Sequence, residues 1–108
     1  MINVTSGFRI EKDFLGEKEV PEDVYYGIQT LRAVENFPVT GYKIHKEMID
    51  ALAVVKKAAA LANMETTRLY DGIGQAIVQA SDEILEGKLH EFFIVDPIQG
   101  GAGTSINM

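Results

Sequence analysis

His45-Lys46-Glu47-Met48-Ile49-Asp50-Ala51-Leu52-Ala53-Val54-Val55-Lys56-Lys57-Ala58-Ala59-Ala60-Leu61-Ala62-Asn63-Met64 is the stretch that decides the fold class. Met48, Leu52, Val55, Ala59 and Ala62 recur at spacings of four and three, which puts them on one stripe of an α-helix. Lys46, Glu47, Asp50, Lys56 and Lys57 supply the polar faces. The many alanines lower the entropic cost of the helix. The spacing therefore predicts a helix over 45–64.

Downstream, Leu69, Ile73, Ile77, Ala80 and Ile84 give a second stripe, and a helix is expected over 67–86. Thr66 or Thr67 is a candidate cap at its start, and Gly87 is placed as the residue just past its end, with Lys88 beside the negative end of the dipole. Gly72 and Gly74 each weaken its first turns by about 1 kcal/mol relative to alanine, so a start after them is the alternative. Upstream, Val24, Ile28, Leu31, Val34 and Phe37 predict a helix from about Val24 to Phe37, stopped by Pro38. Residues 8 to 20 read as a hairpin. Phe8, Ile10 and Lys12 alternate with Arg9, Glu11 and Asp13, Leu15-Gly16-Glu17 turns the chain, and Pro21 stops the returning strand. The fold class is mainly α: an N-terminal β-hairpin followed by about three helices.

The totals bound the function. A chain of 108 residues with 46% hydrophobic and 24% charged residues is in the range of one globular domain. A net charge of -6, with acidic residues spread along the chain, argues against a nucleic-acid partner, which requires a basic stripe. An anionic ligand would have to be held by local donors. The absence of cysteine removes disulfides, thiolate metal sites and cysteine nucleophiles. Met1 to Gly7 lacks the basic and apolar regions of a signal peptide, and the longest apolar run, Ala58 to Ala62, is too short to span a membrane. No membrane partner and a cytoplasmic location are expected.

After His90 to Val95, a short apolar stretch closed by Asp96-Pro97, comes Gln99-Gly100-Gly101-Ala102-Gly103-Thr104-Ser105-Ile106-Asn107-Met108. Gly100, Gly101 and Gly103, with Ala102 between them, remove side-chain bulk and let backbone N–H groups approach a ligand. Thr104, Ser105 and Asn107 add neutral donors suited to a carboxylate. The segment is not a P-loop, because Gly103 rather than lysine precedes Thr104, and not a dinucleotide loop, because Ile106 stands where a third glycine is required. The plain alternative is a glycine-rich turn leading into a polar helix cap.

These residues, together with Arg9-Ile10-Glu11-Lys12-Asp13-Phe14-Leu15-Gly16-Glu17 and the run from Tyr25 to Phe37, resemble the aspartase/fumarase superfamily in the expected order. The loop is similar to the superfamily's first signature region. Ala102 and Ser105 resemble the aspartase branch, since class II fumarases usually carry serine and glutamine there. The resemblance implies that residues 1–108 are an N-terminal domain fragment of an ammonia-lyase, truncated within that signature loop and inactive alone. The parent enzyme would convert L-aspartate to fumarate and ammonia as a homotetramer, without an organic cofactor or a metal site in this segment. The alternatives are a class II fumarase fragment and a non-catalytic helical binding module.

The resemblance also implies residue roles. Thr104 and Ser105 are the substrate-binding candidates and Gly100, Gly101 and Gly103 shape the loop. No catalytic base is implied in this chain, because the family's base is a serine in the C-terminal half. Ser105 has a second reading, as a residue that holds the loop, and Asn107 as a helix cap. Arg32 has two readings, a positive charge near an anionic substrate or an ion pair with Glu35. His45 and His90 lack partners at metal-ligand spacing and read as surface or packing residues. Asp82, Glu83 and Glu86 read as a solvated helix face.

Overall fold

The computed structural model describes residues 7–108. The stretch Met1 to Ser6, which carries most of the signal-peptide reading, lies outside them. The fold is mainly α with a two-stranded antiparallel hairpin at the N-terminal side. It divides into two units, one of residues 7–43 with 92–108, and one of residues 44–91.

In the first unit, β1 (Phe8–Asp13) pairs with β2 (Gly16–Pro21) in the register Phe8↔Pro21 to Asp13↔Gly16. The loop is Phe14-Leu15, one residue earlier than expected. Gly16 takes φ 120, a value only glycine adopts freely, and the Leu15 N–H donates to Asp13 Oδ1 at 2.9 Å. Pro21 closes β2 from inside the strand.

The hairpin turns its charged face inward. Phe8 and Ile10 are exposed, whereas Arg9, Glu11 and Asp13 are half-buried. Arg9 explains this inversion. Its Nη1 donates to the carbonyls of Pro21 (2.8 Å), Glu22 (3.1 Å) and Val24 (3.2 Å), and its Nη2 to that of Tyr26 at 2.7 Å. Its Nε pairs with Glu11 at 2.6 Å. One guanidinium thus holds the bend 21–26, and those carbonyls are unavailable to a helix.

The first helix, α1 (Ile28–Asn36), consequently starts four residues later than the apolar spacing suggested. Its first N–H, that of Ile28, donates to Glu11 Oε1 at 2.8 Å, so a strand carboxylate caps the helix. Gly27 leaves room for this: a Cβ there would stand 2.9 Å from Glu11 Oε1. The Arg9 hydrogen bond, and then the Ile28 N–H, hold the Glu11 carboxyl below its usual pKa. Arg32 binds Asp13 in bidentate fashion, Nε to Oδ2 at 2.8 Å and Nη2 to Oδ1 at 3.0 Å. The expected Arg32–Glu35 pair is therefore replaced, and Glu35 instead pairs with Lys18 at 2.8 Å. Sequence spacing along one helix gave no view of the strand lying beside it.

In the second unit, α2 (Lys46–Glu65) and α3 (Asp71–Leu85) pack against each other. His45 caps α2, its Nδ1 accepting from the Glu47 N–H at 3.2 Å. The buried positions of α2 are Ile49, Ala53 and Ala60, one residue round from the predicted stripe. Met48 and Val55, both expected inside, are exposed at 53% and 62%. On α3 the buried residues are Gly74 and Ser81, and the Ser81 hydroxyl donates back to the Ile77 carbonyl at 2.8 Å. Small residues set the contact because they let the two backbones approach.

The link between these helices corrects a second expectation. Thr66 is the C-cap of α2 rather than the N-cap of α3, and Thr67 takes φ 61. The N–H groups of Arg68 and Leu69 both donate to the Asn63 carbonyl, at 2.8 and 3.0 Å. Only then can α3 begin, at Asp71, and it includes Gly72 and Gly74. Gly74 lets the helices close on each other, since a Cβ there would land on Met64 Sδ and Cγ and force that side chain to shift. Gly87 closes α3 as expected, with φ 86 and its N–H on the Ile84 carbonyl at 2.9 Å. Of the acidic face, Asp82 is committed to an ion pair with Lys57 at 2.6 Å. Among the described residues, no helix is long and apolar enough to cross a membrane.

Candidate functional site

The glycine segment belongs to the first unit. After a short 3-10 turn at His90–Phe92 the chain continues without regular secondary structure, with Val95 and Asp96 buried, into the loop at Gly100. Three consecutive residues then take positive φ: Gly101 at 73, Ala102 at 54 and Gly103 at 88. A β-branched or bulky residue resists this conformation, so the small residues are a backbone requirement. Gly100 is extended, and its smallness has another cause. A Cβ there would stand 3.0 Å from Phe37 Cζ, so the ring at the end of α1 lies directly on the loop backbone.

The left-handed run ends at Thr104, whose φ of -56 and ψ of -38 start the four-residue α4 (Thr104–Asn107). Both donors of Thr104 converge on one atom. Its N–H and its hydroxyl reach the Gly101 carbonyl, the hydroxyl at 2.6 Å. Thr104 is nonetheless exposed, while Ser105 is buried at 8% exposure. The two substrate-binding candidates thus differ: Thr104 offers a hydroxyl at the surface of the loop, and Ser105 is turned into the protein. Asn107 is exposed. Arg32, committed to Asp13 and to the Gly16 carbonyl at 3.2 Å, has its charge answered within the fold.

Two residues of this region were passed over in the sequence. Asp96, read only as the close of an apolar stretch, is buried at 7% exposure. Its carboxylate accepts from the N–H groups of Thr40 (2.7 Å), Gly41 (2.9 Å) and Ile98 (2.9 Å) and from the Thr40 hydroxyl at 3.0 Å. Burial works against its ionisation, yet the N–H groups of Ile98, Thr40 and Gly41 and the Thr40 hydroxyl together lower its pKa to about 2. Gln99 bridges onward, its Nε2 donating to the Asp96 carbonyl at 2.9 Å and its Oε1 accepting from the Ile106 N–H at 3.1 Å. The local signal was the Asp-Pro pair, which marks a turn. The partners at Thr40 and Gly41 lie beyond any local window. A cleft of about 230 Å³ runs beside Asp96, lined by Val34, Phe37, Tyr42 and Ile94 among others.

His45 and His90 belong to the second unit. His90 is half-buried, with Nε2 on Asp50 Oδ1 at 2.9 Å. Lys46 is the larger influence on Asp50, whose carboxyl is held below its usual pKa by Lys46 and also by His90. No group of three or more His, Asp or Glu at metal-holding distance occurs among the described residues.

The sequence pattern of a protein family described as Lyase matches residues 16–108. The chain belongs to this lyase family. Aspartate ammonia-lyase of Bacillus subtilis (strain 168) is 77% identical to it over 108 residues, 100% of this chain and 23% of the relative. Aspartate ammonia-lyase of Escherichia coli (strain K12) is 48% identical, covering 97% of this chain and 23% of that protein. Among solved structures, a fumarate lyase:delta crystallin from Brucella melitensis in native form superposes with a TM-score of 0.89 at 51% identity, over 94% of this chain and 24% of that one. A recombinant class II fumarase from Schistosoma mansoni gives 0.87 at 33% identity, over 93% and 21%. The chain thus spans about a quarter of the length of the relatives it matches.

Proposed function

We propose that this lyase chain is the N-terminal segment of a longer ammonia-lyase that converts L-aspartate to fumarate and ammonia, and that Thr104 helps to bind the substrate carboxylate. The observation that carries the reading is the 77% identity, over every residue of the chain, to a protein named aspartate ammonia-lyase. The loop geometry gives the proposal its chemistry. Removal of the proton next to a carboxylate spreads a second negative charge into that carboxylate. A neutral donor that strengthens its hydrogen bond as this charge develops lowers the barrier more than it tightens ground-state binding.

Thr104 suits that task. Its hydroxyl proton rests on the Gly101 carbonyl, a neutral acceptor, at the exposed end of the left-handed run. A doubly charged carboxylate is the stronger acceptor and draws the proton away from Gly101. Gly101 and Gly103 keep the approach free of side chains, and Gly100 makes room for the Phe37 ring behind the loop. Ser105, being buried, contributes to the site chiefly by holding the loop. Assembly as a homotetramer belongs to the same proposal. Turnover is assigned to the longer protein, in which the carbon proton is taken by a base outside residues 1–108.

The test is Thr104→Val in the full-length enzyme. The expected result is a folded protein with kcat reduced by roughly 100- to 1000-fold, the loss typical of one oxyanion donor. Steady-state rates within threefold of the parent enzyme would remove Thr104 from the reaction. The second reading, a fumarase, is favoured by the class II fumarase likeness at a TM-score of 0.87. Parallel assays with L-aspartate and L-malate separate the two, and turnover of malate alone would replace the first reading with the second.

A further inference from the structure

We infer that Asp96 is the positioning residue of the glycine loop, fixing through its own carbonyl and the side chain of Gln99 where Thr104 stands relative to a substrate carboxylate. This rests on the proposed role of Thr104. The connections form one chain of contacts. The Asp96 carboxylate gathers the N–H groups of Thr40 and Gly41, which lie 56 and 55 residues away in sequence. It also takes the N–H of Ile98, two residues ahead. The Asp96 carbonyl holds Gln99 Nε2, and Gln99 Oε1 takes the N–H of Ile106, in the turn of helix that begins at Thr104. The hydroxyl and N–H of Thr104 both bond to the Gly101 carbonyl, and its own carbonyl accepts from the Met108 N–H at 3.1 Å. Its placement therefore depends on the two ends of the loop, and Gln99 ties both ends together.

The residue type is dictated by the donors. Three backbone N–H groups and one hydroxyl converge on two oxygens, and an ionised carboxylate is the side chain with acceptor capacity for all of them and no donor of its own. An amide would set its NH2 against at least one backbone N–H. Proline at position 97 has no N–H, so the turn that returns to the carboxylate is made by Ile98. Burial opposes ionisation, but the converging donors outweigh it and hold the pKa at about 2, so the anchor holds throughout the neutral range. Ring contact between Phe37 and Gly100 fixes the loop from its other side.

The experiment uses the full-length enzyme with Asp96→Ala, Asp96→Asn and Gln99→Met, read by steady-state kinetics with L-aspartate and by amide hydrogen exchange. Asp96→Ala should lower kcat/KM by about 100-fold, the scale expected when a reacting group is misplaced by about 1 Å. Both a raised KM and a lowered kcat are expected, because the loop meets the substrate before and during reaction. Asp96→Asn keeps one acceptor oxygen and should recover part of that loss. Gln99→Met leaves the Asp96 anchor intact, serves if Asp96→Ala does not fold, and should still lower kcat/KM about tenfold. Exchange should quicken at 97–106, and for the Asp96 variants also at 38–43, with α2 and α3 unchanged.

Faster exchange throughout both units would make Asp96 a general stability residue and overturn the proposal. Local exchange with kinetics within threefold of the parent would overturn it too. A parent enzyme that does not turn over aspartate would count against the proposed function alone. Exchange at 97–106 in the variants would then still decide the inference: quickening supports the relay and unchanged protection overturns it.

Discussion

In the first unit, strand and helix meet through charge: Arg9 gathers four backbone carbonyls, Glu11 caps α1, and Asp13 grips Arg32. In the second, two helices meet through small residues, Ala53 and Ala60 on α2 with Gly74 and Ser81 on α3. Directed hydrogen bonds fix position within a few tenths of an ångström and accept few substitutes. Close backbone packing fixes distance but tolerates modest rearrangement of flexible neighbours such as Met64. The candidate site sits in the charge-built unit. That agrees with a need for the loop backbone to be held in an uncommon conformation by groups that do not slide.

The largest contrast between the units should appear in acid. The carboxyls of Glu11 and Asp13 are held below their usual pKa, by the Arg9 and Arg32 hydrogen bonds respectively, and Asp96 titrates at about 2 against 3.8 for an ordinary aspartate. A depressed folded-state pKa contributes stability that is complete above the unfolded value and is lost as pH falls through the folded one. Amide protection in 8–37 and 94–106, where three such carboxyls act, should therefore fall as pH drops from about 4 toward 2, while α2 and α3, with the lowered pKa of Asp50 between them, should lose less over the same range. Simultaneous loss in both units at a single pH would break the contrast.

Arg9→Met comes next. It removes the Glu11 partner and leaves the carbonyls of Pro21, Val24 and Tyr26 short of a donor. Charge-assisted bonds contribute about 1.5–3 kcal/mol each, and only part of this is recovered by water, so a loss near 3 kcal/mol is expected from denaturant titration. A change under 1 kcal/mol would show that the bend 21–26 holds itself.

Gly74→Ala is the smallest of the three and probes the other unit. The new Cβ meets Met64 Sδ and Cγ, an overpacking that costs about 1–3 kcal/mol, offset by about 1 kcal/mol of helix propensity. Net destabilisation near 1 kcal/mol is expected in the thermal midpoint. A stabilised variant would mean that Met64 moves aside freely and that the α2–α3 contact is looser than its geometry.

Much of the architecture could be read before the structure. Proline and glycine punctuation placed the end of α1 near Pro38 and the end of α3 at Gly87, and the 3.6-residue period located α2 to within one residue at each end. The glycine run read as a close-approach loop has its positive-φ residues at Gly101 and Gly103. Less legible were the faces. The buried side of α2 is displaced from its most apolar stripe, because a helix seats where a partner backbone can come close, and Ala53 and Ala60 permit that better than Met48 or Val55.

The sequence by itself determined which segments are helices, where the chain must turn, and which loop can bring backbone to an anion. All of these depend on residues within a few positions of one another. Only the tertiary structure decided that the charged face of the hairpin is the inner one, that Arg32 answers Asp13, that Thr104 rather than Ser105 is accessible, and that Asp96 anchors the loop. The first, second and fourth rest on hydrogen bonds between groups 12 or more residues apart, and the third on burial. A charged residue is favourable inside only when its partner is already in place, and no local pattern records where that partner will be.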